Sequence, residues 1–231
     1  MGTVGGTRDI QGNHMCAVVA HPLEGHMESA QVSWNQAPID WQHDCGMRMS
    51  HCTPQDTARG MFLNGMLKSI RALAGDAVAK QCLEASGHEQ LVDAFNYPAT
   101  LQLQFLSIAM PTLLARCASH DHAMRKLGRD AVMDFLGTTA GRMLLTLSGK
   151  DPKRLVESMP SARKASVSFG TQVIEWIGPN QGRVTFKREF MPHAYYAGMV
   201  EMLLELGGAT MVGVRSRQTG RVDCEITFTW N

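Results

Sequence analysis

No stretch of the chain approaches the ~18 uninterrupted apolar residues of a membrane span, and the opening MGTVGGTRDIQGNHM has no basic segment followed by an apolar one. The expectation is therefore a cytoplasmic protein with no membrane partner. An excess of charge of one sign is missing as well: 22 Lys and Arg stand against 21 Asp and Glu, a formal charge of +1, so no global field draws the chain to nucleic acid or anionic lipid. Residues 121–165 hold nine basic and five acidic groups, a local bias that reads as a solvated helical face. Arg215, Arg217 and Arg221 flank a turn without the aromatic company that single-stranded nucleic acid requires. The six cysteines show no CxxC spacing, so they read as reduced thiols rather than a disulfide framework. GxSxG, P-loop and strand-GxGxxG-helix motifs are all absent. The reading leans away from an enzyme, and the sequence specifies no cofactor.

What is present is enough for a core. A chain of 231 residues with 44% hydrophobic content suits one domain, with or without an extended arm, and sixteen methionines read as core gap-fillers. Residues 1–52 read as an irregular, partly disordered arm, and 53–231 as a single α+β domain of ligand-binding type, helical over 53–165 and built from a β-hairpin, a helix and a β-hairpin over 168–231. TPQD at 53–56 carries the signs of a helix start, with Thr53 as N-cap, Pro54 at the first position and Asp56 as the capping-box acceptor. An apolar stripe through Leu63, Met66, Ile70 and Leu73 follows, ending at Gly75. Further helices are expected over 76–86, 99–117, 121–136 and 138–148, and after Asp151 and Pro152, with a kink or break at Pro111.

After Ser168 the period changes to two. Val184 and Phe186, then Cys224, Ile226, Phe228 and Trp230, alternate with polar residues, as strands with one buried face do. TQVIEWI and RVTFKRE around GPNQG form one expected hairpin, and TMVGVRSR and CEITFTW around QTGRVD form another. The helix between them puts Tyr196, Met199, Val200, Leu203 and Leu206 on one side and Glu201 and Glu205 opposite. The fold class is thus α+β: an N-terminal helical layer packed on a four-stranded antiparallel sheet made of two β-hairpins joined by a helix.

DTARGMFLNGML, the long stretch from LGRDAVMDFL to KASVSFG, the hairpin around GPNQG and the terminal GRVDCEITFTW resemble a conserved family of unknown function restricted to myxobacteria, over about residues 53–231. That resemblance implies a bacterial protein and assigns no catalytic residues. HAYYAGMVEMLLELGG, followed by a hairpin whose second strand opens with Asp223 and Cys224, is similar at greater distance to the ligand-binding fold of four-vinyl-reductase domains, haem nitric-oxide sensor domains and Golgi tethering subunits. Shared topology does not choose among those roles.

The candidate pocket lies between the helical layer and the central helix, lined by Phe169, Trp176, His193, Tyr195 and Tyr196, and suits a small apolar or aromatic ligand. At a helix start His193 is held toward neutrality and can orient a carbonyl or accept a proton; its alternative is a surface group at a helix entry. His14, Cys16, His21 and His26, with His43, Cys45, Met47, Met49, His51 and Cys52, form the densest set of metal-ligand residue types, but their spacing fits no structural site and no metal is assigned. His120 and His122 lie two apart, on different sides of a helix, and read as part of a helix start capped by Ser119 or Asp121. None of His88, His120, His122 and His193 sits centrally on an apolar helix face, where a haem ligand would have to stand. The leading expectation is a non-enzymatic small-molecule binding or sensory module. The alternative is an interaction adaptor working as a homo-oligomer, and a third reading is a biosynthetic enzyme using His193 and a tyrosine in proton transfer.

Overall fold

A computed structural model of the chain describes residues 40–231; His14, Cys16, His21 and His26 lie outside the described residues. Among the described residues are nine helices and six strands, and no helix is long and apolar enough to cross a membrane.

The first element corrects the reading of an irregular arm to residue 52. Trp41–Met49 is a helix, α1, capped by the Asp40 carboxylate, which accepts from the His43 amide at 3.1 Å. Its anchors are long-range: Cys45 is fully buried, and Arg48 donates to the carbonyls of Phe190 and Met191 at 3.4 and 3.3 Å. TPQD does not start a helix. Thr53 and Asp56 make the capping contacts, with the Asp56 carboxylate accepting from the Thr53 amide at 2.6 Å and its hydroxyl at 2.9 Å, but within a turn. Asp56 is instead buried under the Arg188 guanidinium, which grips it at 2.6 and 2.7 Å and holds its pKa down at about 2. The next residues, Thr57–Arg59 (β1), pair with Asn96–Pro98 (β2), so the helix α2 is delayed to Gly60–Ala74.

The rest of the helical layer follows the apolar stripes. It comprises α3 (Asp76–Ala85), α4 (Thr100–Arg116), α5 (His120–Leu136), α6 (Thr139–Ser148), α7 (Pro152–Glu157) and α8 (Met159–Ser166). α4 is unbroken through Pro111 and buries Phe105, Leu106, Met110 and Leu113 completely; each such side chain contributes about 1.5–3 kcal/mol. Ser119 caps α5 by accepting from the His122 amide at 3.1 Å, and Asp151 caps α7.

The sheet has β3 (Thr171–Gly178), β4 (Gln181–Lys187), β5 (Gly213–Gln218) and β6 (Cys224–Thr229) in the order β3-β4-β6-β5, every pair antiparallel. The two hairpins join through their second strands, where Val184 opposes Ile226 and Phe186 opposes Cys224. Those four side chains and Phe228 are buried, as the two-residue period requires. Helix α9 (His193–Leu206) packs over this face, with the Tyr196 ring 4.6 Å from that of Phe186. Its other side is covered too, for α5 lies on it: Ala194, Ala197 and Leu204 are buried, while Glu201 and Glu205 pair with Arg125 and Arg129. The two helices touch backbone to backbone. A Cβ on Gly128 of α5 would fall well inside contact distance of the Tyr195 carbonyl oxygen, and one on Gly198 of α9 inside that of the Arg125 carbonyl oxygen.

Candidate functional site: a cavity between helices and sheet

The α5–α9 contact fixes one wall of a cavity of about 100 Å³. α5 supplies Val132 and Phe135, α8 supplies Met159 and Ala162, and α9 supplies Met199 and Leu203. Phe62 of α2 and Phe169, just before β3, extend an apolar lining. Methionine at two of these positions leaves the walls adaptable, because an unbranched thioether changes rotamer easily.

One end of the cavity is polar, and sequence reasoning missed it. Glu189, 4% exposed, stands in its wall with Gln172, Arg163, Tyr195 and Tyr196. The Tyr196 hydroxyl donates to Glu189 Oε2 at 3.2 Å and accepts from the Met191 amide at 3.2 Å. Glu189 Oε1 has no hydrogen-bond partner, and neither does Gln172 Oε1. Arg163 Nε lies 3.8 Å from Glu189 Oε1, beyond a hydrogen bond, while its Nη1 donates to the Phe169 carbonyl. Burial therefore dominates, and it pushes the Glu189 carboxyl up to about 8 against the pull of Arg163 and Tyr196. Gly170, at φ +73°, makes room for this arrangement: a Cβ there would lie 2.6 Å from Glu189 Oε1. Burial likewise raises the Tyr195 and Tyr196 hydroxyls far above the ordinary phenol range.

Of the five residues singled out in the sequence, Phe169, Tyr195 and Tyr196 line this cavity, and Trp176 and His193 do not. Trp176 sits edge-on to Phe228 and Trp230 and donates through Nε1 to Glu157 of α7 at 3.0 Å, tying β3 to the helical layer. His193 points the other way. Its Nδ1 is 2.8 Å from Ser216 Oγ of β5, and burial lowers its pKa. The Tyr196 hydroxyl is committed to Glu189, so His193 and this tyrosine work in separate places. Of the arm's His/Cys/Met set, His43, Cys45, Met47, Met49, His51 and Cys52 are described, and among the described residues no group of three His, Cys, Asp or Glu could hold a metal ion. Burial raises the Cys45 and Cys52 thiols to about 11, away from the thiolate a soft metal would need.

The model of a family described as "Protein of unknown function (DUF2378)" matches residues 51–231. No curated protein matches the sequence. Among solved structures the chain is similar to the Fe(II) unliganded H-NOX protein from K. algicida, at 17% identity and a TM-score of 0.58 over 75% of this chain and 96% of that one. It is also similar to an H-NOX protein from S. oneidensis in the Fe(II)NO ligation state, at 14% identity and a TM-score of 0.59 over 75% of this chain and 99% of that one. These likenesses show the fold.

A haem of the nitric-oxide-sensor kind does not fit the residues present. The cavity is about 100 Å³, against the ~300–1,000 Å³ of ordinary small-molecule pockets. Its lining holds no histidine or cysteine, and the two tyrosines that could replace them are held protonated by burial.

Proposed function

Because the chain belongs to the DUF2378 family of unknown function, its role has to be read from fold and cavity, and we propose that it is a non-enzymatic binding or sensory module for a small apolar or aromatic molecule, without haem. The observation that carries this reading is the cavity itself, set between the α5–α9 pair, α8 and β3 and lined mainly by aromatic, aliphatic and thioether side chains. At about 100 Å³, against about 150 Å³ for an apolar cavity that holds benzene, it takes a single ring or a short chain as the adaptable Met159 and Met199 side chains yield. Phe169, Tyr195 and Tyr196 are its aromatic contacts in this reading. The cytoplasmic location and myxobacterial restriction expected from the sequence are part of the proposal.

Calorimetric titration with toluene tests it. Saturable one-to-one binding is expected, and Ala162→Phe, which fills the cavity from α8, should weaken it at least about tenfold while leaving the melting temperature within a few degrees. Failure of toluene and other single-ring compounds to bind, or unchanged binding by the filled variant, contradicts the proposal.

A second reading, an interaction adaptor acting as a homo-oligomer, is favoured by exposed apolar side chains: Met143 and Leu147 on α6 are 63% and 75% exposed, and Val173 and Ile177 on the edge strand β3 are each 54% exposed. Light scattering that reports a monomer at high concentration removes it.

A further inference from the structure

Five buried side-chain polar atoms among the described residues lack a hydrogen-bond partner, and two of them, Glu189 Oε1 and Gln172 Oε1, belong to residues in the wall of the same cavity. Each such atom costs about 1–3 kcal/mol when left unpaired, and Gln172 follows by two residues Gly170, where a Cβ would lie 2.6 Å from Glu189 Oε1, so the two atoms call for a common partner. Resting on the binding role proposed above, we propose that the ligand is a neutral hydroxyl compound, an alcohol or phenol whose ring or chain occupies the apolar part while its hydroxyl meets Glu189 and Gln172.

The surroundings select this chemistry over its charged relatives. The Arg163 guanidinium lies 3.8 Å from Glu189 Oε1, so an ammonium ligand would meet a like charge where the dielectric is low. A carboxylate would meet the Gln172 acceptor oxygen and would itself be desolvated where burial already disfavours the negative charge of Glu189. A hydroxyl both donates and accepts, and it therefore satisfies the Gln172 amide in either orientation and the Glu189 carboxyl in either protonation state. The other oxygen of Glu189 is not available to the ligand, because the Tyr196 hydroxyl occupies it at 3.2 Å. That bond, together with the Met191 amide on Tyr196, holds the carboxyl in place and leaves Oε1 as the open position.

Three probes of similar size separate the possibilities: phenol, toluene and benzoate, each titrated into the full chain. Phenol is expected to bind about tenfold more tightly than toluene, the equivalent of one recovered hydrogen bond of about 1.4 kcal/mol, and benzoate more weakly than both. Gln172→Leu, on a half-buried strand position, should reduce the ratio of phenol to toluene affinity at least about threefold. Toluene binding as tightly as phenol, benzoate binding more tightly than phenol, or a phenol preference untouched by Gln172→Leu overturns the hydroxyl assignment and leaves the apolar cavity standing. Failure of all three probes to bind overturns the cavity reading and this inference together.

Discussion

Gly128→Ala and Gly198→Ala are each expected to destabilise the domain by about 3–5 kcal/mol, enough to leave a large fraction unfolded at 37 °C. Both substitutions would ordinarily strengthen a helix interior by about 1 kcal/mol. Here the added methyl meets a carbonyl oxygen of the facing helix, Tyr195 from Gly128 and Arg125 from Gly198, and no rotamer change can relieve a clash with backbone. The helices must separate, and overpacking of that kind costs more than a misplaced side chain. Gly46 of α1 supplies the control, since nothing lies within 4 Å of a Cβ built there; Gly46→Ala should be neutral or mildly stabilising. Urea unfolding of the three variants measures the difference. A loss at Gly128 and Gly198 no larger than at Gly46 would contradict the backbone contact between α5 and α9. Because α9 carries Tyr195, Tyr196, Met199 and Leu203 into the cavity wall, any variant that survives should also lose toluene binding.

The second large effect is a fall in stability with rising pH, caused by Glu189. Its carboxyl is held at about 8 in the folded chain against 4.5 for a free side chain. Below about 4.5 both states carry the proton and the fold keeps its full stability. Between about 4.5 and 8 only the unfolded chain releases it, so stability drops by up to about 1.4 kcal/mol per pH unit and levels off above 8. Burial outweighs the opposing pulls of Arg163 from α8 and the Tyr196 hydroxyl from α9, and release of a single proton sets the limit on the slope. His193 gives a slope of the opposite sign as pH falls below 6.5, because burial lowers its pKa. The difference between the parent and Glu189→Gln cancels that contribution. The variant is expected to be the more stable of the two at pH 8 and to lose the advantage at pH 5. A parent that gains stability over Glu189→Gln as the pH rises would show that Glu189 is ionised and paired in the fold.

Much of this architecture could be read from residue order. The alternation at Val184 and Phe186 and from Cys224 to Phe228 fixed the buried face of the sheet, and the stripe through Tyr196, Val200 and Leu203 placed α9 on it. Ser119 and Asp151 marked helix starts because a cap is a local device, made within three residues. The errors come where partners are distant in sequence. TPQD has every local sign of a helix start, yet Asp56 is held by Arg188, 132 residues away, and the pairing of Thr57–Arg59 with Asn96–Pro98 delays the helix. α1 went unread because Arg48 finds its partners at Phe190 and Met191.

The candidate site divides in the same way. Phe169, Tyr195 and Tyr196 were readable as aromatic residues at element ends, and the structure places all three in the cavity wall. Trp176 and His193 had the same appearance but face Phe228 and Ser216. The polar end was invisible, since a glutamate after Arg188 at a strand end reads as solvated. The one signal was its place immediately before the apolar Phe190 and Met191. Gly128 and Gly198 did carry a signal that went unused, a lone glycine inside an otherwise helical pattern, which marks close packing.

The central claim is that a small apolar molecule enters between α5, α8, α9 and β3. Methyl-labelled methionine spectra during a toluene titration test it most directly, because two of the sixteen methionines, Met159 and Met199, line the cavity, while Met143 and Met211 are 63% and 82% exposed. The account predicts saturable shifts at Met159 and Met199 with Met143 and Met211 unmoved. Shifts confined to Met143 and Met211, or no saturable shift at any methionine, would contradict it.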